Sequence, residues 1–223
     1  MTSIRVPKLV LIDLDGTLVN SVPDLACCID QMMVQLGMPE RGEEAVRGWV
    51  GNGLERLIKR ALVNAMVGEP DADLFLRAKP VFDALYRVNH SSHSYLYEGV
   101  LTGLNYLKRR AYRLGCVTNK ASNFTHPLLK AMGIADYFEV TICGDETPRI
   151  KPDPLPLLTA AERVGVDPTE VLMLGDSVSD VRAARAAGCQ IICMSYGYNH
   201  GEDIRSYGPD AVIDSMAELE LLI

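Results

Sequence analysis

Residues 8–17 read KLVLIDLDGT, and this stretch decides the fold expected for the chain. Its first half is a continuous apolar run, and two acids and a glycine follow at once. An unbroken apolar run bounded by turn residues is typical of a parallel strand buried on both faces. Gly16 permits a sharp turn directly after Asp13 and Asp15. The segment therefore predicts a central strand that delivers two carboxylates to one edge of a sheet.

Similar apolar runs recur along the chain and alternate with helical patterns. The further runs cover residues 112–118, 138–143, 171–176, 190–194 and 211–213. Between them, apolar residues recur at helical spacing in segments 103–110, 123–132, 154–164 and 178–187. Alternating strands and helices predict an α/β fold with a doubly wound parallel sheet, of the flavodoxin or Rossmann type.

The stretch from Val22 to about His93 interrupts this alternation, because it has helical periodicity without any buried strand run. We predict two domains: an α/β catalytic core formed by residues 1–20 and 95–223, and an inserted helical cap formed by residues 21–94. Two short connections at one edge of the sheet would make the cap a hinged lid over the strand ends.

Composition and net charge limit the kinds of molecule that the protein is expected to bind. The chain has 223 residues, of which 48% are apolar, enough to bury a sizeable core. With 22 basic against 29 acidic residues, its net charge of −7 repels polyanions. We therefore expect no nucleic-acid and no membrane partner, and leave the oligomeric state open. Acids follow the first apolar run at once, a pattern unlike a signal peptide or a spanning helix, so we expect a cytoplasmic protein.

Polar residues gather at the predicted carboxyl ends of the strands, where open α/β sheets bind ligands. Four acids close together would repel one another unless a cation lay between them. A few carboxylates, with water and a substrate phosphate, are the usual ligands of Mg²⁺, whereas Ca²⁺ takes more protein oxygens. The sequence therefore predicts a Mg²⁺ site and a phosphate substrate. The residues are Asp13, Asp15, Thr118, Asn119, Lys151, Asp176 and Asp180.

These residues suit phosphoryl transfer. We assign Asp13 as the nucleophile, which would form an aspartyl-phosphate, and Asp15 as the general acid and base. The phosphoryl oxygens need hydrogen-bond donors, which the Thr118 hydroxyl, the Asn119 backbone N–H and the Lys151 ammonium would supply. Either aspartate alone could equally be a turn residue, and the interpretation depends on several strand ends converging.

Four segments resemble the haloacid dehalogenase-like hydrolases: DLDGTLV at 13–19, TNK at 118–120, KPDP at 151–154 and GDSVSD at 175–180. The resemblance implies Mg²⁺ on the Asp13 and Asp176 carboxylates and on the Asp15 main-chain carbonyl. It also implies that Asp180 supports the metal site and that a helical cap follows the first strand. An acid two residues after the nucleophile favours a phosphatase over a dehalogenase.

More narrowly, segments 50–62, 197–203 and 209–214 resemble bacterial phosphoglycolate phosphatases. That resemblance implies a small phosphorylated metabolite, 2-phosphoglycolate, as the substrate. An acidic protein needs local cations to bind such a dianion, and Arg60 and Lys59 on the cap are the candidates. We favour Arg60.

Three alternatives stay open. A sugar-phosphate mutase of the same superfamily would share the aspartyl-phosphate but release little free phosphate. Another small phosphomonoester could be the substrate. A phospho-receiver without turnover is a third possibility, although it would not need an insertion of this length.

Overall fold

Six parallel strands form the central sheet of the computed structural model, which describes residues 4–223. Two further short strands pair with each other. In chain order the strands are β1 (Leu9–Ile12), β2 (Val19–Asn20), β3 (Tyr95–Leu96), β4 (Arg113–Val117), β5 (Val140–Ile142), β6 (Val171–Gly175), β7 (Gln190–Met194) and β8 (Ala211–Ile213). The order across the sheet, β5-β4-β1-β6-β7-β8, is that of a doubly wound Rossmann fold.

Helices cover both faces of this sheet. In chain order they are α1 (Val22–Gln35), α2 (Glu43–Trp49), α3 (Leu54–Val63), α4 (Ala72–Asn89), α5 (Val100–Arg109), α6 (Ser122–Ala131), α7 (Leu155–Val164) and α8 (Val178–Ala187). Leu9 and Leu11 of β1 pack with α7 and α8, whereas Val10 and Ile12 pack with α5 and α6. Successive strand residues face opposite sides, so a strand covered on both sides must be apolar throughout.

The predicted fold class is confirmed, and each of the six predicted runs contains a strand of the parallel sheet. Every neighbouring pair in that sheet is parallel. The chain leaves β1 toward β4 on one side and later returns to β6 on the other. Such a reversal opens a crevice at the carboxyl ends of the strands, where ligands bind in open α/β sheets.

Helices α1–α4 form an insertion with its own apolar cluster, which contains Trp49, Phe82 and Tyr86. The chain enters it through β2 and leaves through β3, which pair antiparallel, Val19 opposite Leu96. The predicted domain boundaries, 20/21 and 94/95, lie at this pair, and residues 1–3 of the predicted core lie outside the described residues. The division into core and cap stays a prediction. Within residues 4–223, no helix combines the length and apolar character needed to cross a membrane.

Candidate active site

One cleft at the carboxyl ends of β1, β4 and β6 collects most of the predicted site residues. Asp13 follows β1, Thr118 follows β4 and Asp176 follows β6 directly. The cleft holds about 560 Å³ of space, including its open side. The predicted residues that line it are Asp13, Asp15, Thr118, Asn119, Lys151, Asp176 and Asp180.

Three buried aspartates form the acidic part of the cleft. Carboxylate oxygens of Asp13, Asp176 and Asp180 lie within 4.8 Å of one another. Burial, together with repulsion from Asp180, raises the pKa of Asp13 to about 7 even though Lys151 opposes the shift. Burial, Asp180 and Asp13 likewise hold the pKa of Asp176 well above its ordinary value. Hard oxygen ligands crowded in this way fit a divalent cation such as Mg²⁺, which would relieve the repulsion.

Lys151 is the cation that faces these acids. Its Nζ lies 2.8 Å from Asp13 Oδ1 and donates to Asp180 Oδ1 at 2.7 Å. It also donates to the Val117 carbonyl at 2.7 Å, so all three N–H groups have protein acceptors. Burial would lower the pKa of Lys151, but Asp13 and Asp180 raise it above its ordinary value. The ammonium therefore stays charged at neutral pH.

Asp180 is oriented by the start of α8. Its Oδ2 accepts hydrogen bonds from the Ser177 hydroxyl at 2.7 Å and the Ser177 N–H at 3.1 Å, as part of a capping box. Its Oδ1 accepts from Lys151. Both Asp180 oxygens therefore have protein donors, and one of those donors is the buried Lys151 ammonium.

Asp176 is held from two sides by backbone and hydroxyl donors. Its Oδ1 accepts from the Thr17 hydroxyl at 2.7 Å, and its Oδ2 accepts from the Tyr198 N–H at 2.6 Å. Gly16 and Gly197 flank the carboxylate so closely that a Cβ on either would collide with it. The chain therefore surrounds Asp176 with residues that fix its direction.

Asp15 faces the same cleft but has different partners. Its Oδ1 accepts from the Ser21 hydroxyl at 2.5 Å, and both its oxygens lie near Lys120 Nζ, at 3.1 and 3.2 Å. The Lys120 ammonium also lies 5.0 Å from the centre of the Tyr86 ring. Burial lowers the pKa of Lys120, but the Asp15 carboxylate and Tyr86 raise it above its ordinary value. Lys120 is thus a second buried cation in the cleft.

Thr118 and Asn119 follow β4, and their side chains hydrogen-bond to nearby loop residues. The Thr118 hydroxyl accepts from the Lys120 N–H at 3.2 Å. The Asn119 side chain accepts from the Lys151 N–H and donates to the Lys151 carbonyl, both at 2.9 Å, and also donates to the Gly51 carbonyl at 3.2 Å. The Asn119 amide therefore links the loop that carries Lys151 to the insertion. That the Asn119 backbone N–H donates to the phosphoryl oxygens stays a prediction.

Residues 10–194 match the family model described as haloacid dehalogenase-like hydrolase. The chain belongs to this family. A phosphoglycolate phosphatase of Nitrosococcus oceani is 59% identical over 220 residues, which cover 99% of this chain and 98% of that relative. A phosphoglycolate phosphatase of Thiobacillus denitrificans is 47% identical over 224 residues, covering 100% and 99%.

A solved structure agrees with this membership. The crystal structure of a predicted phosphoglycolate phosphatase from Haemophilus somnus 129PT superposes with a TM-score of 0.92 at 36% identity. The match covers 98% of this chain and 99% of that one. The fold, the motif order and the relatives therefore agree on a haloacid dehalogenase-like hydrolase.

Arg60 in this haloacid dehalogenase-like hydrolase is not among the residues that line the cleft, and the expectation that it binds the substrate stays a prediction. Its buried guanidinium donates to the Trp49 carbonyl at 2.5 Å, the Asn52 side chain at 2.8 Å and the Met66 carbonyl at 3.2 Å. These contacts link the segment before α3, at Trp49 and Asn52, to the segment after it, at Met66. Lys59, the other candidate, pairs with Glu69 at 2.7 Å. Helical spacing could not distinguish a structural arginine from a ligand-binding one.

Several residues of this hydrolase site were missed by the sequence argument. Lys120 stood in the TNK motif, whose third residue was given no role, and Thr17 stood in the DGT motif. Ser21 and Tyr198 were given no role, and the hydrogen bond between the Ser21 N–H and the Tyr198 hydroxyl joins positions 177 residues apart. The sequence predicted a lid from the insertion, but the residues of this roof over the cleft were not named. The roof consists of Leu25, Val50, Gly51, Gly53, Leu54 and Leu57 from the insertion.

Proposed function

We propose that the chain is a Mg²⁺-dependent phosphomonoester phosphatase that hydrolyses 2-phosphoglycolate to glycolate and phosphate. The observation that carries the reaction is that Asp13 and Asp15 line one cleft together with Lys151, whose Nζ lies 2.8 Å from Asp13. The full-length relatives named phosphoglycolate phosphatase support the substrate. An apolar roof above a small cleft suits a small ester better than a bulky one.

In the first step, a carboxylate oxygen of Asp13 attacks phosphorus, and the bond between phosphorus and the ester oxygen breaks. Asp15 donates its proton to that oxygen, which leaves as the hydroxyl group of glycolate. The product on the protein is an aspartyl-phosphate. The Thr118 hydroxyl, the Asn119 backbone N–H and Lys151 donate to the phosphoryl oxygens as charge builds on them.

In the second step, water attacks phosphorus and Asp15 accepts its proton. The bond between phosphorus and the Asp13 oxygen breaks, which releases phosphate and restores the carboxylate. The roof limits bulk water around the reacting groups, so hydrogen bonds in the cleft are stronger than they would be in solution.

The metal site of this mechanism comprises the Asp13 and Asp176 carboxylates and the Asp15 main-chain carbonyl, with Asp180 in support. Mg²⁺ held by these residues would supply positive charge that offsets the charge of the phosphoryl group. Among the described residues, Lys151 is the one cation in contact with the three carboxylates of the acidic triad, so a divalent cation would balance the remaining charge.

The test is phosphate release from 2-phosphoglycolate, β-glucose 1-phosphate and an aryl phosphate, with and without Mg²⁺. We expect a kcat/KM for 2-phosphoglycolate well above the others, lost without Mg²⁺. Turnover of the aryl phosphate alone would remove the substrate assignment. If no ester released phosphate, the assignment as a phosphatase would be wrong, and a mutase or a phospho-receiver would be favoured.

A further inference from the structure

A substrate with two anionic groups needs more positive charge than its phosphate site supplies. This inference rests on the proposed function, because 2-phosphoglycolate carries a carboxylate as well as a phosphate. Placing a carboxylate in a water-poor cleft is unfavourable unless a cation or hydrogen-bond donors meet it. The roof offers apolar side chains and backbone only. A cation that meets the carboxylate must therefore come from the residues that line the cleft outside the roof.

Lys120 and Lys151 are the two cations among the residues that line the cleft. Lys151 already has an acceptor for each of its three N–H groups, two of them buried aspartates. It lies within the acidic triad, where the phosphate is expected. A carboxylate elsewhere on the substrate would not reach it without displacing those contacts.

Lys120 differs in both contacts and position. Its side chain is 1% exposed, and its side-chain hydrogen bonds within the described chain go to the two oxygens of one carboxylate, Asp15. The Tyr86 ring of α4 covers another side of the ammonium. A lysine ammonium has three donors, so Lys120 can serve Asp15 and one more acceptor at the same time.

Substrate chemistry places that acceptor beside Lys120. The ester oxygen must lie within hydrogen-bond distance of Asp15 to receive its proton. In 2-phosphoglycolate the carboxylate carbon is two covalent bonds from that oxygen. Lys120 Nζ is 3.1 Å from the nearer Asp15 oxygen. A carboxylate two bonds from an ester oxygen that lies beside Asp15 is therefore within reach of the same ammonium.

We propose that Lys120 binds the substrate carboxylate and thereby selects α-phosphorylated short carboxylates over esters of similar size without the acid group. The Asp15 contact and the Tyr86 ring hold the ammonium in place before the substrate arrives. A fixed charge in a closed cleft discriminates strongly, because an uncharged analogue gains nothing from it.

The experiment compares 2-phosphoglycolate with 2-hydroxyethyl phosphate, in which a CH₂OH group replaces the carboxylate. The ratio of the two kcat/KM values is measured for the unchanged protein, Lys120→Met and Lys120→Gln. Both variants lose rate on both esters because Lys120 also contacts Asp15. We expect the ratio itself to fall about 30-fold or more, mainly through KM for 2-phosphoglycolate, as for loss of a charged hydrogen bond.

Lys130→Met is the matched control, since Lys130 is exposed in the last turn of α6 and the same charge is removed. Its ratio should equal that of the unchanged protein, and Lys120→Arg should restore part of the preference. An unchanged ratio in Lys120→Met and Lys120→Gln would reduce Lys120 to a positioning residue for Asp15 and overturn the inference. A lack of preference for 2-phosphoglycolate in the unchanged protein would instead overturn the proposed function, and this inference with it.

Discussion

At the scale of single residues, the acidic triad makes the protein sensitive to pH and metal together. The raised pKa of Asp13, from 3.8 to about 7, means that the folded state holds this proton more tightly than the unfolded chain. Between about pH 4 and pH 7 the metal-free folded state therefore binds more protons, and its stability falls as pH rises. A divalent cation can take the place of those protons.

We therefore predict that Mg²⁺ stabilises the protein more at high than at low pH. At 10 mM Mg²⁺ the melting temperature should rise by about 3–5 °C at pH 8 and by under about 1 °C at pH 5. Thermal unfolding with and without Mg²⁺ measures this, and Asp176→Asn should lose the shift at pH 8. Equal shifts at both pH values would contradict a metal site in the triad.

The nucleophile is tested by Asp13→Asn. Because the amide of Asn cannot form the aspartyl-phosphate, phosphate release should fall by at least about 1000-fold. The change also removes one of three crowded carboxylates, so the metal-free variant should melt at a temperature equal to or above that of the unchanged protein. Phosphate release and circular dichroism measure the two effects. Substantial turnover by pure Asp13→Asn would exclude Asp13 as the nucleophile.

The close approach of Gly197 to Asp176 is a second residue-scale test. A Cβ at Gly197 would collide with the Asp176 side chain, so Gly197→Ala should displace that carboxylate. We expect the Mg²⁺ concentration for half-maximal activity to rise about tenfold. Gly48→Ala is the matched control, because nothing lies within 4 Å of its added Cβ. The same magnesium titration for both variants would show that Gly197 does not position Asp176.

At the scale of elements, one buried acid joins the two ends of the insertion. Asp24, in the first turn of α1, has no exposed surface. It accepts from the backbone N–H groups of His93 and Ser94, both at 2.8 Å, and from the Ser94 hydroxyl at 2.5 Å. These bonds tie the start of the insertion to its end, just before β3.

Asp24→Ala should therefore lower the free energy of unfolding by about 3 kcal/mol, because three hydrogen bonds to a buried carboxylate are lost. Asp83→Ala is the control. It breaks a surface pair with Lys79 one helical turn away and should change stability by about 0.5 kcal/mol or less. Urea denaturation compares the two. A similar small effect in both would mean that water replaces the Asp24 contacts.

At the scale of the whole molecule, the insertion contacts the sheet domain through aromatic side chains. Phe124 of α6 packs into the apolar cluster of the insertion, with its ring centre 4.8 Å from that of Tyr86. Tyr198, from the loop after β7, joins the same cluster. These contacts hold the roof over the cleft.

Phe124→Ala should weaken that contact and shift the molecule toward an open arrangement. Since only the closed form binds well, the KM for 2-phosphoglycolate should rise about tenfold. Phe75→Ala, a half-buried phenylalanine that packs beside Lys59 on the insertion, should leave KM within about twofold. Small-angle X-ray scattering should show a larger radius of gyration for Phe124→Ala only. An identical KM in the two variants would exclude closure by this contact.

The sequence by itself determined the doubly wound sheet, because burial on both faces requires unbroken apolar runs such as Leu9–Ile12, and these are visible without coordinates. It also determined which acids end the strands, since Asp13 and Asp176 follow such runs directly. The two-residue strands β2 and β3 are too short to show any period.

The sequence predicted Lys151 at the cleft, but only the tertiary structure showed that Lys120 lines it as well and that Arg60 does not. Arg60 and Lys120 are both cations within the segments that carry the family resemblance. Arg60 links the segments on either side of α3, whereas Lys120 pairs with Asp15. Their partners come from segments that the fold brings together, such as Lys120 and Asp15, which are 105 positions apart. The spacing of apolar residues predicts which face of a helix or strand is buried. It does not predict which distant residue packs against that face, so the contacts between segments of the site are visible only in the structure.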